Sequence, residues 1–111
     1  MKTLPVRWSD PARRDVNELI DYIARASGSV TTALRYADRI EARCNSIGDV
    51  PRGGRSRDDL LPGLRTVPFE RSVLICYTIE SGAVWITNVL HGGRDVDAAL
   101  RGVAPGADEA E

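Results

Sequence analysis

Three apolar runs crowd the second half of the chain: Leu64 to Phe69, Val73 to Ile79 and Ala83 to Leu90. Only Glu70-Arg71 and Ser81-Gly82, with a residue or so beside them, separate one run from the next. Gaps this short cannot hold a crossover helix, so the runs predict an antiparallel meander joined by tight turns. The middle run is apolar nearly throughout, as a central strand is. The last runs through Val84-Trp85-Ile86-Thr87-Asn88-Val89-Leu90 and breaks at once into His91-Gly92-Gly93-Arg94-Asp95. The only histidine of the chain stands where that strand ends. Pro68 interrupts the first run, and Pro62-Gly63 makes the turn that leads into it.

The first half reads differently. Thr3 to Trp8 predicts a short strand with Leu4, Val6 and Trp8 on one face. Asp10-Pro11 marks a helix start, with the carboxylate capping free N–H groups and proline losing no bond at the first position. Ala12, Val16, Leu19, Ile20 and Ile23 recur at three- and four-residue steps, giving one apolar stripe that ends near Ala26-Ser27-Gly28. Ser29 caps a second helix with Val30, Ala33, Leu34, Ala37, Ile40, Cys44 and Ile47 as its stripe and Gly48 as its C′ residue. The expected fold is therefore α+β: an N-terminal strand, an antiparallel helical hairpin, then the three-stranded meander. The first strand joins one side of the sheet, and the hairpin covers one face. Asp95 to Arg101 predicts a short helix, with Val96, Ala99 and Leu100 as its apolar side. From Gly102 on, alanine, proline, glycine and acids predict a disordered tail. The expected division is one domain over residues 1–101 and an acidic tail over 102–111.

With 111 residues, 42% of them hydrophobic, the chain can bury one modest core. No apolar run approaches the roughly 20 residues of a membrane span, and Met1-Lys2-Thr3-Leu4-Pro5 lacks the apolar segment of a secretory signal. A cytoplasmic location is the expectation. Cys44 and Cys76 form no CxxC pair and have no ligand-spaced neighbours, so they read as small buried hydrophobes. No metal, cofactor or nucleophile–base pattern stands out, and the expectation is a binding protein rather than an enzyme.

The net charge of −1 conceals an uneven distribution. Removing the tail acids Asp108, Glu109 and Glu111 from the 16 acidic residues leaves 13 against 15 bases. Fourteen of those 15 bases are arginine, which suits bidentate contact with carboxylate or phosphate; a GC-rich coding bias gives the same preference. Arg35, Arg39 and Arg43 form a ladder on the second helix, either a solvated face or a contact surface, with Asp38 and Glu41 near for local pairing. Asp49 to Asp59 is a loop punctuated by Pro51, Gly53 and Gly54, with Arg52, Arg55 and Arg57 interleaved. It lacks the phosphate-loop pattern and reads as a charged connector or as a basic finger for an acidic partner. His91 is a structural hydrogen-bond partner or a proton carrier, and Arg94-Asp95 a local ion pair. Tyr77 packs its ring and bonds its hydroxyl. Trp8 and Trp85 read as core, unless Trp85 is an exposed interface anchor.

Several segments, in this order, resemble the RelE/ParE toxin superfamily. They are Val6-Arg7-Trp8-Ser9 with Ala12, Leu19-Ile20-Asp21-Tyr22-Ile23-Ala24, Pro51-Arg52-Gly53-Gly54-Arg55 and Leu60-Leu61-Pro62-Gly63-Leu64-Arg65. The strand ending in Tyr77 and the close Val89-Leu90-His91-Gly92-Gly93-Arg94-Asp95 complete the set. The branch it looks most like is ParE. That resemblance implies a toxin of a type II toxin–antitoxin pair that acts on DNA gyrase and blocks replication. It implies neutralisation by a ParD-like ribbon-helix-helix antitoxin in a hetero-oligomer, with operator DNA bound only through the antitoxin.

On that reading the candidate gyrase contacts are Arg52, Arg55, Arg57, Arg65, His91 and Arg94, the cations placed on loops and strand ends. The expected antitoxin groove is lined by Ala12, Val16, Leu19 and Ile23, too many for a four-stranded sheet to cover, together with Tyr77 and Trp85. The RelE-like alternative is a ribosome-dependent mRNA endonuclease. It needs a base, a cation for phosphorane-like charge and an acid. Arg65, His91 and Arg94 would have to crowd together to supply them. Leu74 stands where RelE-like nucleases often carry arginine, Gly92 where a related subgroup has tyrosine, and no tyrosine follows Tyr77. A third reading is a non-toxic member that only binds antitoxin and regulates transcription.

Overall fold

The computed structural model describes residues 3–70 and 72–91. The short helix expected over 95–101, the acidic tail and Arg94 lie outside the described residues.

Strand β1 (Val6–Trp8) leads into helix α1 (Asp10–Ser27) and then α2 (Val30–Ile47). Ser9, not Asp10, caps α1. Its hydroxyl accepts from the Ala12 N–H (3.1 Å) and donates to the Thr87 carbonyl (3.1 Å), a double use that a carboxylate cannot make. Gly28 ends α1 at φ 73°, the left-handed region glycine enters freely. Ser29 caps α2 as expected, accepting from the Thr32 N–H. Gly48 closes α2 with a right-handed φ of −61°, so turn geometry does not explain it. Contact does: a Cβ there would run into the Leu4 carbonyl oxygen and sit 3.1 Å from Val6 Cγ2. The Leu4 N–H donates to the Gly48 carbonyl (2.9 Å), tying the end of α2 to the strand before α1.

The sheet has five strands, not four, in the order β1-β5-β4-β3-β2. The added strand is β2 (Arg55–Ser56), inside the segment expected to be loop, pairing antiparallel with β3 (Arg65–Phe69). Strands β3, β4 (Val73–Glu80) and β5 (Ala83–His91) form the meander. β1 joins at the side of β5 and runs parallel to it.

Cys76 faces Asn88 but Tyr77 faces Ile86, which leaves Thr87 as a bulge. One extra residue changes which side chains face which way. Val84 and Ile86 lie in the core beneath the helices; beyond the bulge Val89 does, while Leu90 joins the opposite face. Asp15 of α1 accepts from the Val89 N–H (2.9 Å) and from Asn88 Nδ2 (3.3 Å), which fixes the helix over this irregular stretch.

The main core lies between the hairpin and the sheet, around Leu19, Ile40, Cys44, Ile75, Tyr77 and Ile86. A second, smaller cluster covers the other face. Leu64, Cys76 and Leu90 are buried there, with Leu60, Leu61 and Leu74 packed against them. The connection between β2 and β3 thus folds back over the sheet. Asp58 holds it by accepting from the Gly63 N–H (2.7 Å) and the Ser56 hydroxyl (3.0 Å), and the Arg57 N–H donates to the Leu64 carbonyl (2.8 Å).

Candidate functional site

The loop Pro51-Arg52-Gly53-Gly54 follows α2 and precedes β2, above the end of the sheet where Arg65 and Tyr77 are direct cross-strand partners. Both side chains reach into it. The Tyr77 hydroxyl donates to the Pro51 carbonyl (2.7 Å) and accepts from the Gly54 N–H (3.0 Å). One guanidinium nitrogen of Arg65 donates to the carbonyls of Arg52 (3.1 Å) and Gly54 (2.9 Å). The backbone groups of a turn with no ladder of its own are satisfied from below by two neighbouring strands. Gly54 lies so close to the Tyr77 ring that a Cβ would collide with it. Beside the clamp is a cleft of about 380 Å³, lined by Arg43, Ile47, Val50, Val67 and Tyr77 among others.

Above the clamp, Arg52 and Arg55 are exposed, and neither side chain makes a hydrogen bond or ion pair among the described residues. The arrangement presents two guanidinium groups to solvent from a backbone held at four points. Guanidinium groups so placed have the geometry that suits carboxylate or phosphate.

The other expected contacts fare differently. Arg57 forms a two-pronged pair with Asp59 (3.0 and 2.9 Å), which holds that carboxyl below its ordinary range. Arg65 is committed to loop carbonyls. His91 is half-buried at the end of β5, its ring 5.7 Å from that of Tyr22. Arg65 and His91 are not brought together. Two strand spacings and four residues along β4 separate their positions, about 16 Å. The crowding that the nuclease reading requires of them is absent.

Two of the three arginines in the α2 ladder are also engaged, while Arg35 is exposed. Arg39 pairs with Glu70 (2.9 Å) and lies over the Tyr36 ring at 5.0 Å, while Arg43 donates to the Ser46 hydroxyl (2.9 Å). The Glu70 hydrogen bond raises the Arg39 pKa further above its already high value.

Of the residues expected to line an antitoxin groove, only some are open to a partner. Ala12, Leu19 and Tyr77 are buried in the protein's own core, and Val16 and Ile23 pack against it. The α1 stripe packs mainly against α2 and β5; the added strand β2 lies at the far edge of the sheet with both residues exposed and is not what covers it. Trp85 alternates with the core residues Val84 and Ile86 and so faces the opposite side of the sheet. Between α1 and α2 there is instead a groove of about 340 Å³, with Trp8, Val16, Ala37 and Ile40 as its apolar lining and Arg13 and Glu41 at its charged positions. Among the described residues no group of three or more metal-ligating side chains gathers. Burial pushes the thiols of Cys44 and Cys76 up to about 12 and leaves both unreactive.

The clamp was not legible from sequence. Its only signals were Gly54, which needs close approach rather than freedom, and two long polar side chains directed at one end of the sheet.

No curated protein matches the chain. A solved structure described as "Chromosomal ParDE TA system from P. aeruginosa" is similar, with a TM-score of 0.70 and 20% identity. The likeness covers 80% of this chain and 96% of that one, and at this identity it speaks for the fold. The family model described as "ParE toxin of type II toxin-antitoxin system, parDE" matches residues 6–96, from the first residue of β1 to beyond the end of β5. The chain therefore belongs to the ParE toxin family of type II toxin–antitoxin systems.

Proposed function

We propose that this chain is a toxin that binds DNA gyrase and blocks replication, and that a ParD-like ribbon-helix-helix antitoxin neutralises it in a hetero-oligomer. It acts in the cytoplasm as a binding protein without catalysis, and meets operator DNA only through the antitoxin. Family membership supports the toxin reading. The observation that carries the mode of action is the exposed pair Arg52, on a loop pinned to the sheet, and Arg55, the first residue of β2 beside it. A small module of this kind inhibits by lodging a fixed cationic finger in a larger machine. Arg57 is engaged by Asp59 and Arg65 by the loop carbonyls, so the direct contacts fall first to Arg52 and Arg55. The distance between Arg65 and His91 argues against ribosome-dependent RNA cleavage.

The test is pulse-labelling after induction of the toxin alone. DNA synthesis falls first and a DNA-damage reporter switches on. Arg52→Glu/Arg55→Glu, shown by circular dichroism to be folded, loses growth arrest. Early collapse of translation overturns the gyrase reading in favour of the ribosome, and growth without arrest leaves the non-toxic regulator.

A further inference from the structure

We infer that Tyr77 and Arg65 are positioning residues that hold the loop 51–54, which carries Arg52 and leads directly into Arg55 at the start of β2, so that the two arginines meet a carboxylate- or phosphate-bearing target as a fixed pair. The inference rests on the proposed contact role of those two arginines. A solvated connector has no need of such a device: water satisfies the backbone of an exposed turn without help. Here four hydrogen bonds from two side chains replace water, and Gly54 has no side chain, so the backbone sits directly on the Tyr77 ring. Two successive glycines would otherwise give the loop great freedom. An unclamped pair of arginines would lose that freedom on contact, at the expense of affinity. Clamping it in the free protein removes that cost in advance. The two clamp residues come from adjacent strands at one register position, so the geometry of the sheet itself sets the spacing of the arginines.

Tyr77→Phe removes the hydroxyl and keeps the ring in the core. Gly54→Ala disturbs the same contact from the loop side. Ala26→Gly, on the exposed surface of α1, is a control for lost stability. All are made in the full chain. Loop opening is read by trypsin cleavage after Arg52 and Arg55, and function by the inducer level that gives half-maximal growth arrest at equal soluble protein.

Tyr77→Phe and Gly54→Ala both speed cleavage about tenfold, as expected for the loss of two hydrogen bonds at one position. Both raise the inducer requirement, whereas Ala26→Gly changes neither. In an Arg55→Ala background Tyr77→Phe exacts a smaller penalty than in the parent, because it acts through that arginine. Unchanged cleavage overturns the clamp. Faster cleavage with undiminished arrest, while Arg52→Glu/Arg55→Glu abolishes it, overturns the positioning role and leaves the contact reading standing. Full additivity with Arg55→Ala also overturns it. If Arg52→Glu/Arg55→Glu still arrests growth, the contact reading fails and positioning goes with it.

Discussion

The two faces of the sheet are covered by very different means. One lies under two helices of 18 residues each, whose stripes interdigitate around Leu19, Ile40, Cys44, Ile75 and Ile86. Among the described residues the other is closed by a single connection, in which Leu60, Leu61 and Leu64 fold over Cys76 and Leu90. The helical face spreads its contacts over long elements and is bound to the fate of the whole domain. The leucine cap depends on a short segment held by Asp58 and the Arg57 backbone, so it is the face expected to open first. The arginine loop lies just before this segment in the chain, with only β2 between them. The part of the molecule proposed to contact a target is thus next to its lightest cover.

Each face carries one cysteine, and that allows the sharpest comparison. Ile40→Ala costs about 4 kcal/mol and Leu64→Ala about 3 kcal/mol, each by removing a fully buried branched side chain. Denaturant titration measures both. The pattern of thiol labelling separates them. Both thiols are unreactive in the native protein at pH 8, since burial pushes each to about 12. Leu64→Ala raises labelling of Cys76 while Cys44 stays protected. Ile40→Ala exposes both together. Equal labelling in Leu64→Ala would mean that the two faces open as one unit.

The helix layer is also attached to the sheet at points rather than only by apolar area. Gly48→Ala drives a Cβ into the Leu4 carbonyl and is expected to cost about 2–3 kcal/mol, the range for overpacking against backbone. Its melting midpoint, compared with that of Gly28→Ala, isolates the collision. Gly28 has open space around it and pays only for its positive φ, about 1 kcal/mol. Asp15→Ala leaves the Val89 N–H without its acceptor, for about 2 kcal/mol. Faster amide exchange at Val89 is the direct sign, and unchanged exchange would refute the attachment.

The contrast also explains what could be read from the chain beforehand. The helices and the meander are periodic, and periodicity survives in sequence: Ala12, Leu19 and Ile23 step along one face, and Ile75, Tyr77 and Ile79 alternate. Even the bulge left a trace, because the helix-side positions pass from Val84 and Ile86 to Val89. The cover on the second face had no period. Leu60, Leu61 and Leu64 look like a loop with incidental leucines until the sheet beneath them is known. The candidate site was half legible. Arginine content marked the loop, but which arginines stay free depends on partners distant in sequence. Asp59 takes Arg57, and the carbonyls of the loop take Arg65. The α1 stripe is read the same way: Ala12 and Leu19 are apolar because the protein's own core uses them, while Val16 also lines the cleft between the helices.

Acid offers the gentlest way to separate the faces. The Gly63 N–H and then the Ser56 hydroxyl hold the Asp58 carboxyl below its ordinary value, and the Arg57 pair does the same for Asp59. Both groups have a folded pKa below the unfolded one. Their contribution is therefore fully present above the unfolded value, near 4, and is lost as pH falls through the folded value. Both carboxylates lie on the leucine-capped side of the sheet, in the connection itself. Lowering the pH from about 5 to about 2 should therefore loosen this connection before the helices melt. Cysteine labelling is too slow in acid to follow this, but amide exchange at Gly63 and Leu64 is measurable there. Protection at these two amides falls below pH 4, and Asp58→Asn, which no longer titrates, flattens that fall. If the helical amides lose protection over the same range and to the same degree, the connection is not a separate unit, and the asymmetry between the faces is one of shape without a matching difference in stability.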